Sequence, residues 1–142
     1  MLTLFAVAAA TTLSGAPHQA PDCRAAEIYF ESGRANLNIA ALQSLDAIYG
    51  MASQAGWPGA SATIVGHIDG AEAARGLVSL DEERAGAIRE RLENLRGRQD
   101  GSPAPWTFIV GGVDDAQPAL KAPGASQPLN RRARLIVCSG TG

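Results

Sequence analysis

Between residues 37 and 56 the sequence runs LNIAALQSLDAIYGMASQAG, and Leu42, Leu45, Ile48, Tyr49 and Ala52 recur at three- and four-residue spacing. That spacing lines them along one face of an amphipathic helix. Asn36 or Asn38 can cap its start, while Gly56, followed by Trp57-Pro58-Gly59, stops it. A helix with one apolar face must bury that face, and the flanking residues say against what. AEIYF (26–30) before it and SATIVG (61–66) after it are short apolar and aromatic or β-branched runs, read as strands. A helix caught between two strands points to a layered fold, helix on sheet.

The rest of the chain continues the alternation. A second helical segment comes in two pieces, a short AEAARGLV (71–78) and a longer helix to about Arg96 that Ser79 or Asp81 can cap. Leu77, Leu80, Ala85, Ile88, Leu92 and Leu95 form its apolar stripe, opposite a solvated face of Glu82, Glu83, Arg89, Glu90, Glu93 and Arg96; Gly97 ends it. WTFIV (106–110) reads as a third strand, a long Gly-, Pro- and Ala-rich loop follows, and RRARLIVC (131–138) closes as a fourth. In that last strand Ala133, Leu135 and Val137 alternate with Arg132, Arg134 and Ile136, as a strand buried on one face requires. The order β-α-β-α-β-β predicts an α+β two-layer sandwich: a mixed four-stranded sheet with two main helices on one face.

At 142 residues the chain is one domain with short extras, and its net charge of −2 lacks the basic excess of a nucleic-acid surface. Residues 2–13, LTLFAVAAATTL, form an apolar run too short to span a bilayer, and Ser14, Gly15 and Ala16 follow. This is the pattern of a secretory leader, so we divide the chain into a leader or weak apolar segment at 1–20 and a domain at 21–142. Cys23 and Cys138 lie near the two ends of that domain. In an exported protein an even pair reads as one disulfide, which would stabilise the fold by roughly 4 kcal/mol in the chain-entropy model; two buried free thiols are the other reading.

Chemistry-bearing motifs are sparse. There is no HExxH, CxxC, Walker A or GxSxG run, and His67 has only His18 for company. His67 and Asp69 could be imagined in a hydrolytic or metal role, but one imidazole with carboxylates is a poor metal set. His67 reads more simply as a strand-end residue hydrogen-bonded to loop backbone. We therefore expect no enzyme, no metal and no cofactor.

Asp69 and Arg84 hold more promise. Asp69 follows a strand end, where loops present ligands, and Arg84 stands in the first turn of a helix, where its charge opposes the helix dipole. Two readings stay open. The pair could receive a zwitterion, the guanidinium and helix N–H groups taking a carboxylate and Asp69 an ammonium. Or the two could form an internal salt bridge tying loop to helix.

Three short motifs in order, GHID (Gly66, His67, Asp69), LDEERA (Leu80, Asp81, Arg84, Ala85) and NRRARLIV (Asn130, Arg131, Arg132), resemble the C-terminal peptidoglycan-binding domain of the OmpA-like family. The resemblance runs from about Cys23 to Val137 and includes the YF of the first strand. It implies an envelope protein of the periplasm that binds peptidoglycan non-covalently through the meso-diaminopimelate of the stem peptide. The roles carried over are Asp69 for the ammonium and Arg84 for the carboxylate. Support comes from loop backbone at Ile68 and Gly70 and from the Asn130–Arg131 corner, with Arg131 or Arg132 alternatively structural. The family fold also makes the first and last strands antiparallel neighbours, which brings Cys23 beside Cys138.

The sequence departs from the family pattern at four places. Ile68 stands for threonine, Leu77 for asparagine, Asp81 for serine and Asp114 for the second glycine of a G-x-G-x-x-x-P run made here by Gly112, Val113, Asp114 and Pro118. The first two remove polar groups from the site region. The alternative function is therefore a degenerate domain that serves as an envelope protein-interaction module without binding the wall.

Overall fold

The structure is a computed structural model, and it describes residues 20–57, 59–99, 105–113, 124 and 126–140. All of the expected leader but Ala20 lies outside the described residues, as do Pro58, Asp114 and Pro118. In chain order the elements are β1 (Cys23–Tyr29), α1 (Ile39–Gln54), β2 (Ser61–His67), α2 (Gly70–Ala74), α3 (Leu80–Gly97), β3 (Thr107–Val113), a 3-10 turn (Pro128–Asn130) and β4 (Arg132–Cys138). The strands form one sheet in the order β1-β4-β2-β3, with β4 antiparallel to both neighbours and β2 parallel to β3. This is the expected two-layer α+β sandwich with its mixed four-stranded sheet.

Local signals set the helix ends. The Asn38 side chain accepts a hydrogen bond from the Ala41 N–H at 2.8 Å and caps α1. At the other end Gly56 adopts φ +67°, and the N–H groups of Gly56 and Trp57 return to the carbonyls of Ser53 and Ala52. That is a Schellman stop, which needs a residue comfortable in the left-handed region. α3 departs from expectation at its start. Ser79 precedes the helix but makes no capping bond, its hydroxyl meeting Glu83 instead, and Asp81 lies inside the first turn, accepting from the Glu82 N–H.

Burial follows the periodicities. Ala41, Leu45, Ile48 and Ala52 of α1 and Ala85, Ile88 and Leu92 of α3 meet Ile28, Ala62, Ile64, Ala133, Leu135 and Val137 of the sheet in one apolar core. Leu42 and Tyr49 are only half-buried, so the inner face of α1 is turned slightly from the expected one. β1 begins three residues earlier than expected because the ladder with β4 continues to Cys23 opposite Cys138, where the two cysteines form a disulfide. β3 continues through Gly111 and Gly112, read from the sequence as loop, because parallel pairing with Val65 and Gly66 satisfies their backbone groups.

The paired glycines Gly66 and Gly112 have a packing role. A Cβ on Gly66 would run into the Asp81 carbonyl, and one on Gly112 into the Asp81 carboxylate. Two bare backbones side by side thus make a seat on which the first turn of α3 rests, one turn before Arg84.

Candidate functional site

The carboxyl end of β2, the start of α3, the loop after β1 and the turn before β4 converge on a buried polar cluster: Asp69, Glu72, Arg84 and Arg131. Asp69, Glu72 and Arg84 are each 0% exposed. Charged groups at that depth must be paired and hydrogen-bonded.

Asp69 is the N-cap of α2. Its Oδ1 accepts the Glu72 N–H at 2.8 Å, and Glu72 Oε2 accepts the Asp69 N–H at 3.0 Å, closing a reciprocal capping box. Asp69 Oδ2 accepts the Gln127 N–H at 2.9 Å and a terminal N–H of Arg131 at 3.1 Å. The same Arg131 nitrogen donates to the Ser126 hydroxyl at 3.0 Å. Burial pushes the Asp69 carboxyl up, but hydrogen bonds from Glu72, Gln127 and Arg131 outweigh it and hold the group below its ordinary value.

Arg84 does not touch Asp69 in this network. Its Nη1 donates to Glu72 Oε2 at 2.8 Å and its Nη2 to Glu72 Oε1 at 2.6 Å, a two-pronged ion pair. The remaining donors go to backbone: Nε to the Arg34 carbonyl, Nη1 to His67 and Nη2 to Glu31. All five N–H groups of the guanidinium are thereby used inside the protein. Its central carbon also lies 5.2 Å from the centroid of the Phe30 ring, and the cation faces that ring. Glu72 is equally committed, since its Oε1 also accepts the Gly33 N–H at 2.8 Å. Burial raises the Glu72 carboxyl, and bonds from Arg84, Gly33 and Asp69 bring it net below its ordinary value.

The alternative of an internal Asp69–Arg84 salt bridge is not what forms: Glu72 stands between the two residues, and the ion pairs are Arg84–Glu72 and Asp69–Arg131. Glu72 is the residue that sequence reasoning missed. Its signal was present: Asp69 and Glu72 have the D-x-x-E spacing of a capping box, inside the run DGAE.

The other expected site residues lie close by. Ile68 lies in the short loop between β2 and α2 with its side chain fully buried, and Gly70 is the buried first residue of α2. Asn130, 2% exposed, ends the 3-10 turn, and its N–H donates to the Gln127 carbonyl. Arg131 is half-buried and donates through Nε to the Phe30 carbonyl. Arg132 instead pairs with Glu27 on the sheet, 3.3 Å away. Leu77 is half-buried, and its side chain borders the space beside Gly33.

His67 departs from its expected role. It ends β2 almost fully buried, and among the described residues its Nδ1 has no hydrogen-bond partner, although its backbone carbonyl serves Arg84. Burial, and then the charges of Arg132 and Arg134, lower its pKa to about 4, so the ring is neutral at pH 7. Asp69, which would be its catalytic partner, is engaged elsewhere. Among the described residues no group of three or more His, Cys, Asp or Glu could hold a metal ion, and no helix is long and apolar enough to cross a membrane.

No protein-family model and no curated protein matches the sequence. Solved structures do match the fold. The OmpA-like domain of FopA1 from Francisella tularensis aligns with a TM-score of 0.61 at 18% identity, over 84% of this chain and 75% of that one. The cell wall anchor of the T6SS from Pseudomonas aeruginosa aligns with a TM-score of 0.58 at 20% identity, over 85% and 87% of the two chains. The peptidoglycan-associated lipoprotein from Burkholderia pseudomallei aligns with a TM-score of 0.54 at 23% identity, over 78% and 88%.

Proposed function

We propose that this chain, which has the OmpA-like fold, is a non-catalytic domain of the cell envelope that binds peptidoglycan, with the zwitterionic end of diaminopimelate as the contact. The observation that carries this reading is the convergence of Asp69, Arg84, Asn130 and Arg131, from three separated segments, at the carboxyl end of β2 in a fold shared with a cell wall anchor and a peptidoglycan-associated lipoprotein. Asp69 would take the ammonium and Arg84 or Arg131 the carboxylate, with backbone at Ile68 and Gly70 alongside. Residues 1–20 would be an export leader and 21–142 the binding domain. A disulfide between the two ends of that domain supports an oxidising compartment such as the periplasm.

One observation favours the second reading, a protein-interaction module without wall binding: every donor of Arg84 is already bonded within the protein. Co-sedimentation with purified peptidoglycan sacculi separates the two. On the first reading the wild type sediments with the wall, and Asp69→Ala and Arg131→Ala, checked for folding by circular dichroism, stay in solution. A wild type that remains in the supernatant removes wall binding and leaves the interaction module. Folded variants that sediment like the wild type would place the site elsewhere.

A further inference from the structure

A ligand carboxylate reaching Arg84 would have to take the place that the Glu72 carboxylate holds. The two oxygens of Glu72 grip the two terminal nitrogens of Arg84 in the parallel fork that a bound carboxylate would adopt. The other three donors of Arg84 are fixed on the carbonyls of Glu31, Arg34 and His67, so no further seat exists on this guanidinium. Glu72 arrives on α2, a helix of five residues whose N-cap is Asp69, the residue read as the ammonium partner. The Asp69 N–H is bonded to the same Glu72 oxygen that meets Arg84 Nη1. Displacing Glu72 therefore breaks a capping bond of Asp69 as well, so both halves of the zwitterion site depend on one carboxylate.

We infer that Glu72 is a built-in occupant of the Arg84 carboxylate seat, a residue of this chain that competes with any carboxylate-bearing ligand and sets how tightly such a ligand binds. The inference rests on the reading of this cluster as the wall-peptide site. Apparent affinity is the intrinsic affinity multiplied by the fraction of molecules in which the seat is open, and a fully buried, two-pronged pair keeps that fraction small. Removing the Glu72 carboxylate opens the seat and leaves Arg84 as an unpaired buried cation that an external carboxylate can satisfy.

The test uses the full chain with its disulfide intact, as wild type, Glu72→Ala and Glu72→Gln, with sodium acetate and meso-diaminopimelic acid as probes. Glu72→Ala should unfold at lower temperature than wild type and recover part of the loss in millimolar acetate, whereas acetate leaves the wild type unmoved. By calorimetry it should bind diaminopimelic acid about tenfold or more tighter than wild type does. An Ala variant that acetate does not stabilise, or that binds diaminopimelic acid no tighter than wild type, overturns the inference. Where the Ala variant does not fold, Glu72→Gln, with the same size and an amide oxygen for the Gly33 or Asp69 N–H, must show the gain. Where neither folds alone, refolding in acetate must recover soluble protein, and failure to do so overturns the inference. Sedimentation with sacculi keeps the two ideas apart. Acetate rescue with no sedimentation of any form retains the Glu72 inference and ends wall binding. A sedimenting wild type with no gain in either variant retains wall binding and ends the inference.

Discussion

Glu72 holds Arg84 through two hydrogen bonds of 2.6 and 2.8 Å, and neither side chain reaches solvent. Through the other donors of Arg84 and the Gly33 N–H, this one pair ties the loop after β1, the end of β2 and the helix α2 to the N-terminal part of α3.

Breaking one member of such a pair leaves an uncompensated buried charge, which costs about 3–5 kcal/mol, whereas replacing both costs far less than the sum. Arg84→Leu and Glu72→Gln should each lower stability by about that amount. The double variant should recover about 2 kcal/mol relative to additivity. Urea unfolding of the four proteins measures the coupling, and additive losses would show that the two residues do not act as one unit.

Glycine positions that look alike in sequence should behave oppositely. Gly66→Ala forces a methyl group into the Asp81 carbonyl and must displace α3 or bend β2, so it should destabilise by several kcal/mol, on the order of 3. Gly86 lies within α3, and a Cβ there meets nothing within 4 Å. Gly86→Ala should therefore stabilise by about 0.5–1 kcal/mol through helix propensity. Thermal unfolding of the two variants decides, and a neutral Gly66→Ala would remove the seat for α3.

The pH dependence of stability should show two windows. His67 has its pKa lowered to about 4 by burial, Arg132 and Arg134, against about 6.5 in the unfolded chain. The unfolded state thus binds more protons between those values, so stability is fully present above about pH 6.5 and falls as pH drops toward 4. Asp69 and Glu72, both depressed, contribute stability present above the ordinary carboxylate range and lost as pH falls below it. In NMR titrations the His67 ring should change charge near pH 4, and His67→Leu should flatten the upper window while leaving the lower one. A His67 that titrates near 6.5 would contradict the burial of its ring.

Much of this molecule was legible in the sequence because the signals are local. Three- and four-residue spacing marked the inner face of α1 to within a slight turn and most of that of α3, alternation marked that of β4, and Asn38, one of two candidate caps, and Gly56 bound α1 by their own capping chemistry. Asp69, Arg84 and Arg131 could likewise be singled out by motif and spacing. Their partners could not. Arg84 finds Glu72 twelve residues away across a turn, and Asp69 finds Arg131 sixty-two residues away, pairings set by how α2 and the turn before β4 fold back over the end of β2. The same is true of Gly66, whose need to be glycine appears only when α3 settles on it. Sequence periodicity states which faces of an element are apolar. Which charge neutralises which inside the protein is decided by three-dimensional proximity in a medium where an unpaired charge is not tolerated.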